Sequence, residues 1–499
     1  MNALKYKKIR FQGCPDPLRL YSHGFNAARP SFLLESADIT TRQGEQSLVG
    51  LDMALKMECR AGAVQLQALS DWGQALANQL MAAFADRLRA DKIIFEPLTD
   101  ITDENQRLQA PSPVDVLRQC LTLASAGEAD SAIHIAGAFA YDFIAFYESI
   151  GVVPEDEKDF PDFVFYLPER LLIVHHREQF SELFLFGDFA TGRKINDLDV
   201  ALLESLIADG PFLSAMAEKV PVTEPTSDAE FCQHVLQLKQ HIQVGDIFQA
   251  VPSRAFFAPC PEPLQAYARL KTQNPSPYMF YFHMVDDLLF GASPETAIKV
   301  SGSPFKVEIR PIAGTKPRGF NSDGSIDRDL DSRLEAELRL DEKELAEHMM
   351  LIDLARNDIA RVSQPGTRYV PRLLTVDRYA YVMHLVSYVE GALRTDLDAF
   401  HAYVASMNMG TLVGAPKIRA AQLVRSIEKT RRGPYGGAVG YFNAAGAMDT
   451  AIVIRSATVR EGIACVRAGA GVVADSVPME EAHETRRKAA SVLRALGGI

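Results

Sequence analysis

Three carboxylates and a lysine follow a loop of small residues in the last part of the sequence. The loop is Arg467-Ala-Gly-Ala-Gly471, and the charged residues after it are Glu480, Glu481, Glu484 and Lys488. Glycine lets backbone N–H groups approach a ligand closely, and carboxylates are ligands that Mg²⁺ prefers. Each acid alone is explained as well by a helix dipole, which favours acids in the first turn. The stretch as a whole indicates a site that holds an anion through a hard metal ion.

A further acid lies in a long, highly charged segment. The spacing of apolar residues predicts one helix over roughly 329–361. Leu340, Glu347, Leu351 and Leu354 fall on about the same stripe of this helix. An acid on a stripe that faces the core is costly unless it is paired or bound to a metal. Glu347 is therefore predicted to be functional, whereas the neighbouring acids are typical of a solvated face.

Two charged residues are associated with predicted strands. Arg455 interrupts the apolar face of a strand predicted over 448–459, where a guanidinium requires a carboxylate from the protein or from a ligand. Glu295 follows the end of another predicted strand. Oxygen ligands without a Cys/His cluster favour Mg²⁺ over zinc. The residues predict an enzyme for a small polyanion and leave open whether that anion carries carboxylates or phosphates.

The composition narrows the class of protein. The chain has 499 residues and a net charge of −12, which makes a nucleic-acid partner unexpected. Its six cysteines lack CxxC spacing, which argues against a disulfide framework or a zinc site and fits a reducing cytosol. No signal-peptide pattern follows the first residues, and no apolar run is long enough to cross a bilayer. We expect a cytoplasmic protein without a membrane partner.

The elements that position these residues divide into two predicted domains. An N-terminal domain is expected over 1–206 and a catalytic domain over 228–499. The linker between them, 207–227, is rich in proline and poor in large apolar residues. In the catalytic domain, Pro478 is expected in the first turn of a helix, with Asp475 or Ser476 as its cap.

Five long motifs carry a resemblance to a known family. They are Pro-Ile-Ala-Gly-Thr at 311–315, Asp-Leu-Ala-Arg-Asn-Asp at 353–358, Gly-Thr-Leu-Val-Gly-Ala-Pro-Lys at 410–417, Gly-Pro-Tyr-Gly-Gly at 433–437 and Arg-Ala-Gly-Ala-Gly at 467–471. With them the chain resembles the chorismate-utilising enzymes, over most of its length and most densely over 245–488. Among these it is most similar to the large subunits that make anthranilate. The resemblance implies an α+β sandwich with large, mostly antiparallel sheets and helices outside.

The resemblance also assigns roles to residues. Glu347 and Glu484 correspond to ligands of Mg²⁺, which would hold the ring carboxylate of chorismate. Glu295 resembles the general acid for the departing C4 hydroxyl, His384 the histidine that assists there, and Thr411 a polar contact near the ring. The implied substrate contacts are Gly314, Thr315, Tyr435, Arg455, Gly469, Ala470, Gly471 and Lys488.

Two positions distinguish branches of this family. Isochorismate and salicylate synthases carry a water-activating lysine where this chain has Gln249, which cannot act as a base. Aminodeoxychorismate synthases carry a lysine in place of Ala313. Both differences favour direct attack by ammonia, which gives anthranilate and pyruvate. Aminodeoxychorismate synthase component I is the alternative enzyme, and a non-catalytic protein that senses tryptophan or chorismate is a third reading.

Regulation and partners are likewise implied by the resemblance. A feedback site for L-tryptophan is expected, because Leu34-Glu35-Ser36 and the turn over 274–280 resemble the feedback site of the family. The implied reaction is the first committed step of tryptophan biosynthesis. No glutamine amidotransferase module is recognisable in the sequence, so a separate glutaminase subunit is implied, with two copies of each subunit in a heterotetramer. Free ammonia should serve without that subunit. The expected tryptophan contacts are Leu34, Glu35, Ser36, Pro277, Tyr278 and Met279.

Overall fold

The computed structural model describes residues 6–24, 26–37, 44–126, 130–151, 159–187, 212, 214–321, 323–379 and 382–498. The helices within these ranges are α1 (Pro17–Gly24), α2 (Asp71–Ala83), α3 (Glu104–Gln109), α4 (Val114–Ala124), a 3₁₀ helix (Tyr141–Phe146), α5 (Asp228–Gln243), α6 (Pro263–Gln273), α7 (Arg328–Leu340), α8 (Glu342–Ala360), α9 (Ala399–Ser406), α10 (Gly410–Val413), α11 (Lys417–Glu428) and α12 (Pro478–Leu496).

The strands alternate with these helices along the chain. They are β1 (Lys7–Gln12), β2 (Ser31–Ala37), β3 (Gly44–Arg60), β4 (Ala63–Ala68), β5 (Leu88–Arg89), β6 (Lys92–Ile94), β7 (His134–Phe139), β8 (Phe163–His175), β9 (Phe180–Leu185), β10 (Gln249–Ala250), β11 (Ser253–Pro259), β12 (Tyr278–His283), β13 (Asp287–Ser293), β14 (Thr296–Ser301), β15 (Lys306–Ile309), β16 (Ile312–Pro317), β17 (Tyr369–Arg378), β18 (Val382–Ala392), β19 (Gly414–Ala415), β20 (Ala438–Asn443), β21 (Met448–Ile452), β22 (Ser456–Arg460) and β23 (Ile463–Gly469).

The large strands form two antiparallel sheets that share β3 and β8, which are long enough to pair with different neighbours along their length. The first sheet continues from β8 through β7, β20, β21, β14 and β15 to β18. The second continues from β3 through β2, β12, β13, β22 and β23 to β11. The predicted α+β fold with large antiparallel sheets is confirmed.

The apolar core lies on both faces of the second sheet. Phe32 and Phe280 belong to one buried cluster, whereas Leu33 and Tyr281 belong to another, because successive side chains of a strand point to opposite faces. Helices α6 and α12 pack on the face of the second cluster. Among the described residues, no helix is both long and apolar enough to cross a membrane.

Strands from both sides of the predicted linker lie side by side in the sheets. β7 pairs with β20 in the first sheet, and β2 pairs with β12 in the second. Of the linker 207–227, only residue 212 and residues 214–227 are described. The division into domains at 1–206 and 228–499 therefore stays a prediction, in a chain whose two parts share sheets and core.

The structure corrects three predicted elements, of which the helix over 329–361 and the start of α12 are described first. The segment 329–361 is not one helix, since α7 ends at Leu340 and α8 begins at Glu342. Asp341 separates them, and its carboxylate caps α8 by accepting the N–H of Glu344 at 3.2 Å. Leu340 is consequently 77% exposed and shares no core stripe with Glu347.

The start of α12 is the second correction. Pro478 is the first helical residue, as predicted, but the cap is Val477, which has no side-chain hydrogen bond to the helix. The Ser476 hydroxyl instead accepts the N–H of Val473 at 3.0 Å, inside the preceding loop. Asp475 and Ser476 are therefore not helix caps.

Candidate active site

Glu295 lies in the tight connection between β13 and β14, where its side chain is buried. The Thr411 hydroxyl, on the short helix α10, donates to Glu295 Oε1 at 3.1 Å. Burial raises the pKa of Glu295 to about 8, against the opposing effects of this hydrogen bond and of the charges of Lys488 and Arg455. A carboxyl group with this pKa keeps its proton at neutral pH, as a general acid must.

His384, on β18, lies beside the motif that carries Gly314 and Thr315. Its Nδ1 lies 3.3 Å from the Gly314 carbonyl oxygen and 2.9 Å from the Thr315 hydroxyl. Gly314 has φ = 82° at an irregularity in the pairing of β16 with β18, a conformation that favours glycine. Burial lowers the pKa of His384 to about 4, so the ring is neutral at pH 7. Nδ1–H can then donate to the carbonyl, which leaves Nε2 as an acceptor.

The glycine loop at the end of β23 approaches its neighbours closely. A Cβ on Gly469 would lie 2.6 Å from the Pro252 carbonyl oxygen and 2.9 Å from the Tyr435 hydroxyl oxygen. A Cβ on Gly471 would lie 2.8 Å from Gln249 Nε2. The N–H groups of this loop were expected to be free for a ligand. This is wrong for Ala470, whose N–H donates to the Pro252 carbonyl oxygen at 3.1 Å.

The two acids predicted to hold Mg²⁺ are both associated with this loop. Gln249 Nε2 donates to Glu347 Oε1 at 2.8 Å, and that oxygen is 3.6 Å from the position of a Cβ on Gly471. Glu484 Oε1 lies 2.6 Å from Lys488 Nζ, which also donates to the Gly469 carbonyl at 3.2 Å. Although burial opposes it, Lys488 holds the pKa of Glu484 below its usual value.

These residues fit Mg²⁺ held together with a substrate. Within the described ranges, no group of three His, Cys, Asp or Glu side chains is close enough to form a metal cage. Mg²⁺ commonly binds through one or two carboxylates and takes its remaining ligands from water and substrate oxygens. Glu347 and Glu484 would be such a pair. Glu480, whose side chain is 64% exposed near Arg487, belongs to the solvent face instead.

The predicted strand over 448–459 is wrong at Arg455. The strand is broken, since β21 ends at Ile452 and β22 begins at Ser456, and Arg455 lies between them with φ = 50°. Its Nη1 donates to the Lys488 carbonyl at 2.9 Å. Among the residues that the structure describes, no carboxylate lies within ion-pairing distance of its guanidinium. The predicted need for a carboxylate partner is therefore left to a ligand.

Arg432, which the sequence analysis missed, joins the segments of this site. Its guanidinium is buried and donates to the carbonyl of Leu412 at 2.8 Å and to that of Val251 at 2.6 Å. It also forms an ion pair with Glu428 at 2.7 Å, and it lies 5.8 Å from the ring centre of Tyr435. Leu412 follows Thr411, and Val251 lies two residues after Gln249, so one side chain fixes both segments.

Glu428 extends this connection to the glycine loop. It accepts the Ser253 N–H at 2.7 Å and lies 3.5 Å from Arg467 Nη1, at the start of the loop's motif. The sequence contained one signal for the pair, because Glu428 and Arg432 have the i,i+4 spacing of an ion pair on a helix. That spacing is common on solvated faces, so it did not distinguish this buried pair.

The residues of the expected tryptophan site come together in the second sheet. Ser36 and Glu35 of β2 lie opposite Tyr278 and Met279 of β12, and Leu34 lies opposite the next residue of β12. Pro277 directly precedes β12. The Glu35 carboxylate already accepts hydrogen bonds from Tyr267 at 2.7 Å and Lys271 at 2.5 Å.

The comparisons with known proteins agree with this geometry. Residues 77–494 match the chorismate binding enzymes, and the chain belongs to this family. The expected resemblance is confirmed.

Within the family, the similar proteins are anthranilate synthases. Anthranilate synthase component 1 of Vibrio cholerae is 50% identical, over 96% of this chain and 94% of its own length. The same component of Escherichia coli is 47% identical, over 96% and 94%. The crystal structure of anthranilate synthase component I from Streptococcus pneumoniae has a TM-score of 0.68 at 29% identity and covers 90% and 92% of the two chains. The menaquinone-specific isochorismate synthase of Escherichia coli has a TM-score of 0.68 at 18% identity, covering 99% and 96%, which shows a shared fold alone.

Proposed function

We propose that this protein converts chorismate and ammonia to anthranilate and pyruvate with Mg²⁺, as the large subunit of a cytoplasmic anthranilate synthase. The observation that carries the proposal is a pair of groups in one site. Glu295 is a buried acid that keeps its proton at neutral pH, and Arg455 is a cation that forms no ion pair with a carboxylate of the described residues. Chorismate has a hydroxyl group that must leave and two carboxylates that must be held.

The first step joins nitrogen to the ring. The lone pair of ammonia forms a bond to C2, the ring double bonds shift, and the C4–O bond breaks. Glu295 donates its proton to the departing oxygen, which leaves as water, and the new ammonium nitrogen then loses one proton. The neutral His384 supports this departure, because its Nε2 can accept a hydrogen bond from the C4 hydroxyl. Proton transfer of this kind contributes about 10²–10⁴-fold to a rate.

The second step makes the ring aromatic. The aminated intermediate loses the C2 hydrogen as a proton, and the electrons of that C–H bond form the C2–C3 double bond as the C3–O bond breaks. The enolpyruvate that leaves takes up one proton on its methylene carbon and becomes pyruvate. Throughout both steps, Arg455 and Tyr435 hold the carboxylate of the enolpyruvyl group, while Gly471 supports the ring side. Glu347 and Glu484 would hold Mg²⁺, and the charge of the ion would neutralise the ring carboxylate. Such fixed charges position the substrate and stabilise developing charge.

Regulation and assembly are part of the proposal. L-Tryptophan binds against the paired strands β2 and β12 and inhibits the enzyme; the proposal is supported by the six expected contacts, which lie in or beside these two strands. A glutamine amidotransferase subunit supplies ammonia from glutamine. The naming of the similar proteins as component 1 supports a second component.

The test uses the purified chain with chorismate, Mg²⁺ and ammonium at alkaline pH. We expect the fluorescence of anthranilate to appear, to require Mg²⁺ and to decrease when tryptophan is added. A 4-amino product would instead identify aminodeoxychorismate synthase. Absence of any turnover of chorismate would overturn the enzymatic proposal, whereas anthranilate formation unaffected by tryptophan would overturn only the feedback site.

A further inference from the structure

A buried ion pair joins the ends of two family motifs and has no part in the proposed chemistry. Asp358 ends the motif over 353–358, and Lys417 ends the motif over 410–417. Lys417 Nζ donates to both oxygens of the Asp358 carboxylate at 2.8 Å, and only 7% of the aspartate and 10% of the lysine side chain is exposed. Replacing such a pair by apolar residues often costs no stability. A role beyond stability is therefore to be expected for it.

Asp358 lines two neighbouring cavities. The small cavity has a volume of about 20 Å³ and is also lined by Glu295. The large cavity has a volume of about 890 Å³ and contains Lys417 in its wall. It reaches solvent, since the side chain of Arg419 in the same wall is 44% exposed. Among the described residues, Leu354 and Asp358 are common to both walls, so the aspartate is the polar side chain that the two cavities share.

The small cavity has room and partners for one water molecule. A buried water needs roughly 10–15 Å³ and about two to four polar partners. The Thr411 hydroxyl and the carboxyl groups of Glu295 and Asp358 all line this cavity. Thr411 donates its proton to Glu295 at 3.1 Å and keeps lone pairs that can accept from water. Within the described part of the wall, Glu295 and Asp358 are the only residues that titrate. A water here would lie between the two acids.

Glu295 needs a new proton after each turnover. It gives its own proton to the departing oxygen and is left as a buried carboxylate in a residue only 7% exposed. The proton returns either from the C2 hydrogen of the substrate or from solvent. Bound chorismate fills the space in front of the acid, so solvent has to reach Glu295 from another side. The two cavities and the carboxylate between them form such a route.

We propose that Asp358 relays protons from solvent in the large cavity to Glu295, through one water in the small cavity. This inference rests on the proposed function and gives a role to the ends of both motifs. Asp358 takes up a proton from water of the large cavity and gives a proton to the water of the small cavity, which passes one of its own to Glu295. Asp358 ends ionised as it began, Glu295 ends neutral, and solvent has lost one proton. Lys417 stays charged and holds the carboxylate in place.

The surroundings of the two acids support this relay. Burial raises the pKa of Asp358, against the opposing charge of Lys417, which brings the carboxylate closer to the pH at which it must exchange protons. Burial also raises the pKa of Glu295 to about 8. A proton delivered through the small cavity is therefore kept by the general acid at neutral pH.

Asp358→Asn tests the inference, because the amide has the same shape and cannot pass a proton on. The first turnover uses the proton already on Glu295, whereas every later turnover needs the relay. After rapid mixing with saturating chorismate, Mg²⁺ and ammonium, we expect about one anthranilate per site to form at the wild-type rate. The steady-state rate that follows should be about tenfold or more below wild type. Its solvent deuterium isotope effect should exceed that of wild type, because proton delivery then limits the rate.

Ala355→Val closes the same route without changing the ion pair. Ala355 lines the small cavity, and two added methyl groups leave no room for water there. We expect the same fast first turnover and slow steady state. If Asp358→Asn alone does not fold, because it leaves the buried Lys417 unpaired, Asp358→Asn combined with Lys417→Met removes both charges and takes its place.

Asp162→Asn is the matched control. Asp162 is also buried, pairs with Arg431 at 2.6 Å and has a pKa raised by burial, but it lines neither cavity. Its substitution should lower the thermal midpoint of unfolding. The ratio of the first-turnover rate to the steady-state rate should stay as in wild type.

The outcomes distinguish the inference from the proposed function. If wild type makes anthranilate and both route variants slow the first turnover as much as the later ones, or slow neither, Asp358 does not supply the proton. A fast first turnover and slow steady state in Asp162→Asn would also overturn the inference, since any loss of a buried carboxylate would then have this effect. A wild-type protein that forms no anthranilate overturns the proposed function and this inference with it.

Discussion

Glu295 combines a catalytic advantage with a cost in stability. Burial raises its pKa from 4.5 to about 8, so the carboxyl group keeps its proton at neutral pH, as the proposed general acid must. In the unfolded chain the same carboxyl group ionises near 4.5 and is well solvated. The native state is therefore disadvantaged by this residue at neutral pH. Active sites commonly contain such groups, because activity requires an environment that stability alone would not select.

Glu295→Gln should be more stable and inactive. Because the folded pKa is raised, the contribution of Glu295 to stability is fully present below pH 4.5 and is lost as pH rises to about 8. Glutamine does not titrate, so at pH 7 the variant should gain on the order of 3 kcal/mol. Thermal unfolding should show a larger gain at pH 8 than at pH 5, and turnover should fall about 10²–10⁴-fold. A gain in thermal midpoint over wild type that is the same at pH 5 and at pH 8 would contradict the raised pKa of Glu295.

At the scale of elements, the sequence analysis named most candidate site residues but predicted some of the helices and strands around them wrongly. Periodicity cannot reveal that Asp341 ends one helix and caps the next, because both helices continue the same charged pattern. Arg455 follows the alternation of a strand, yet positive φ at this residue turns it out of both strands. Arg432 was missed because its partners are backbone carbonyl groups of distant segments. Contacts of this kind leave no pattern in a single sequence.

Arg432→Lys should displace Thr411, whose hydroxyl donates a hydrogen bond to Glu295. Lysine keeps the charge beside Glu428 but cannot reach the carbonyl groups of Leu412 and Val251 together. Thr411 would then lose its bond to Glu295, a bond that lowers the acid's pKa. We expect kcat to fall about tenfold, because the loss of one hydrogen bond has an effect of about this size. The alkaline limb of kcat, measured at constant free ammonia, should move to higher pH.

Arg425→Lys is the matched control for this prediction. Arg425 is also buried, and it pairs with Asp142 at 2.7 Å, but it has no hydrogen bond to the segments that carry Thr411 or Gln249. Its substitution should lower the thermal midpoint and leave the alkaline limb of kcat in place. If Arg432→Lys and Arg425→Lys give the same pH profile as wild type, Arg432 acts only on stability.

At the scale of the whole molecule, the site is assembled from both the sheets and their connections. Glu295 follows β13, His384 lies on β18, and Glu484 lies on α12. The family motifs identified these residues, although physical reasoning on the sequence alone supported only the acids, the glycine loop and Arg455. The two predicted domains stay a prediction, and strands from either side of the linker pair with each other at one place in each sheet. A linker is recognised by composition, whereas shared sheets depend on pairing between distant strands.

Shared sheets predict that the two parts of the chain unfold together. β7 and β2 are inner strands whose partners β20 and β12 come from the other side of the linker, so losing either part exposes unpaired strands and core. Trp72, the only tryptophan, lies on α2 and reports on the N-terminal part. Its fluorescence and the far-ultraviolet circular dichroism should therefore show coincident urea transitions. Moving the probe with Trp72→Phe and Tyr369→Trp, at a residue 49% exposed on β17, should give the same midpoint. Two separated transitions would establish independently stable domains. In that case one part of the chain would stay folded after the other had unfolded, so its stability would not depend on the strands of the other part.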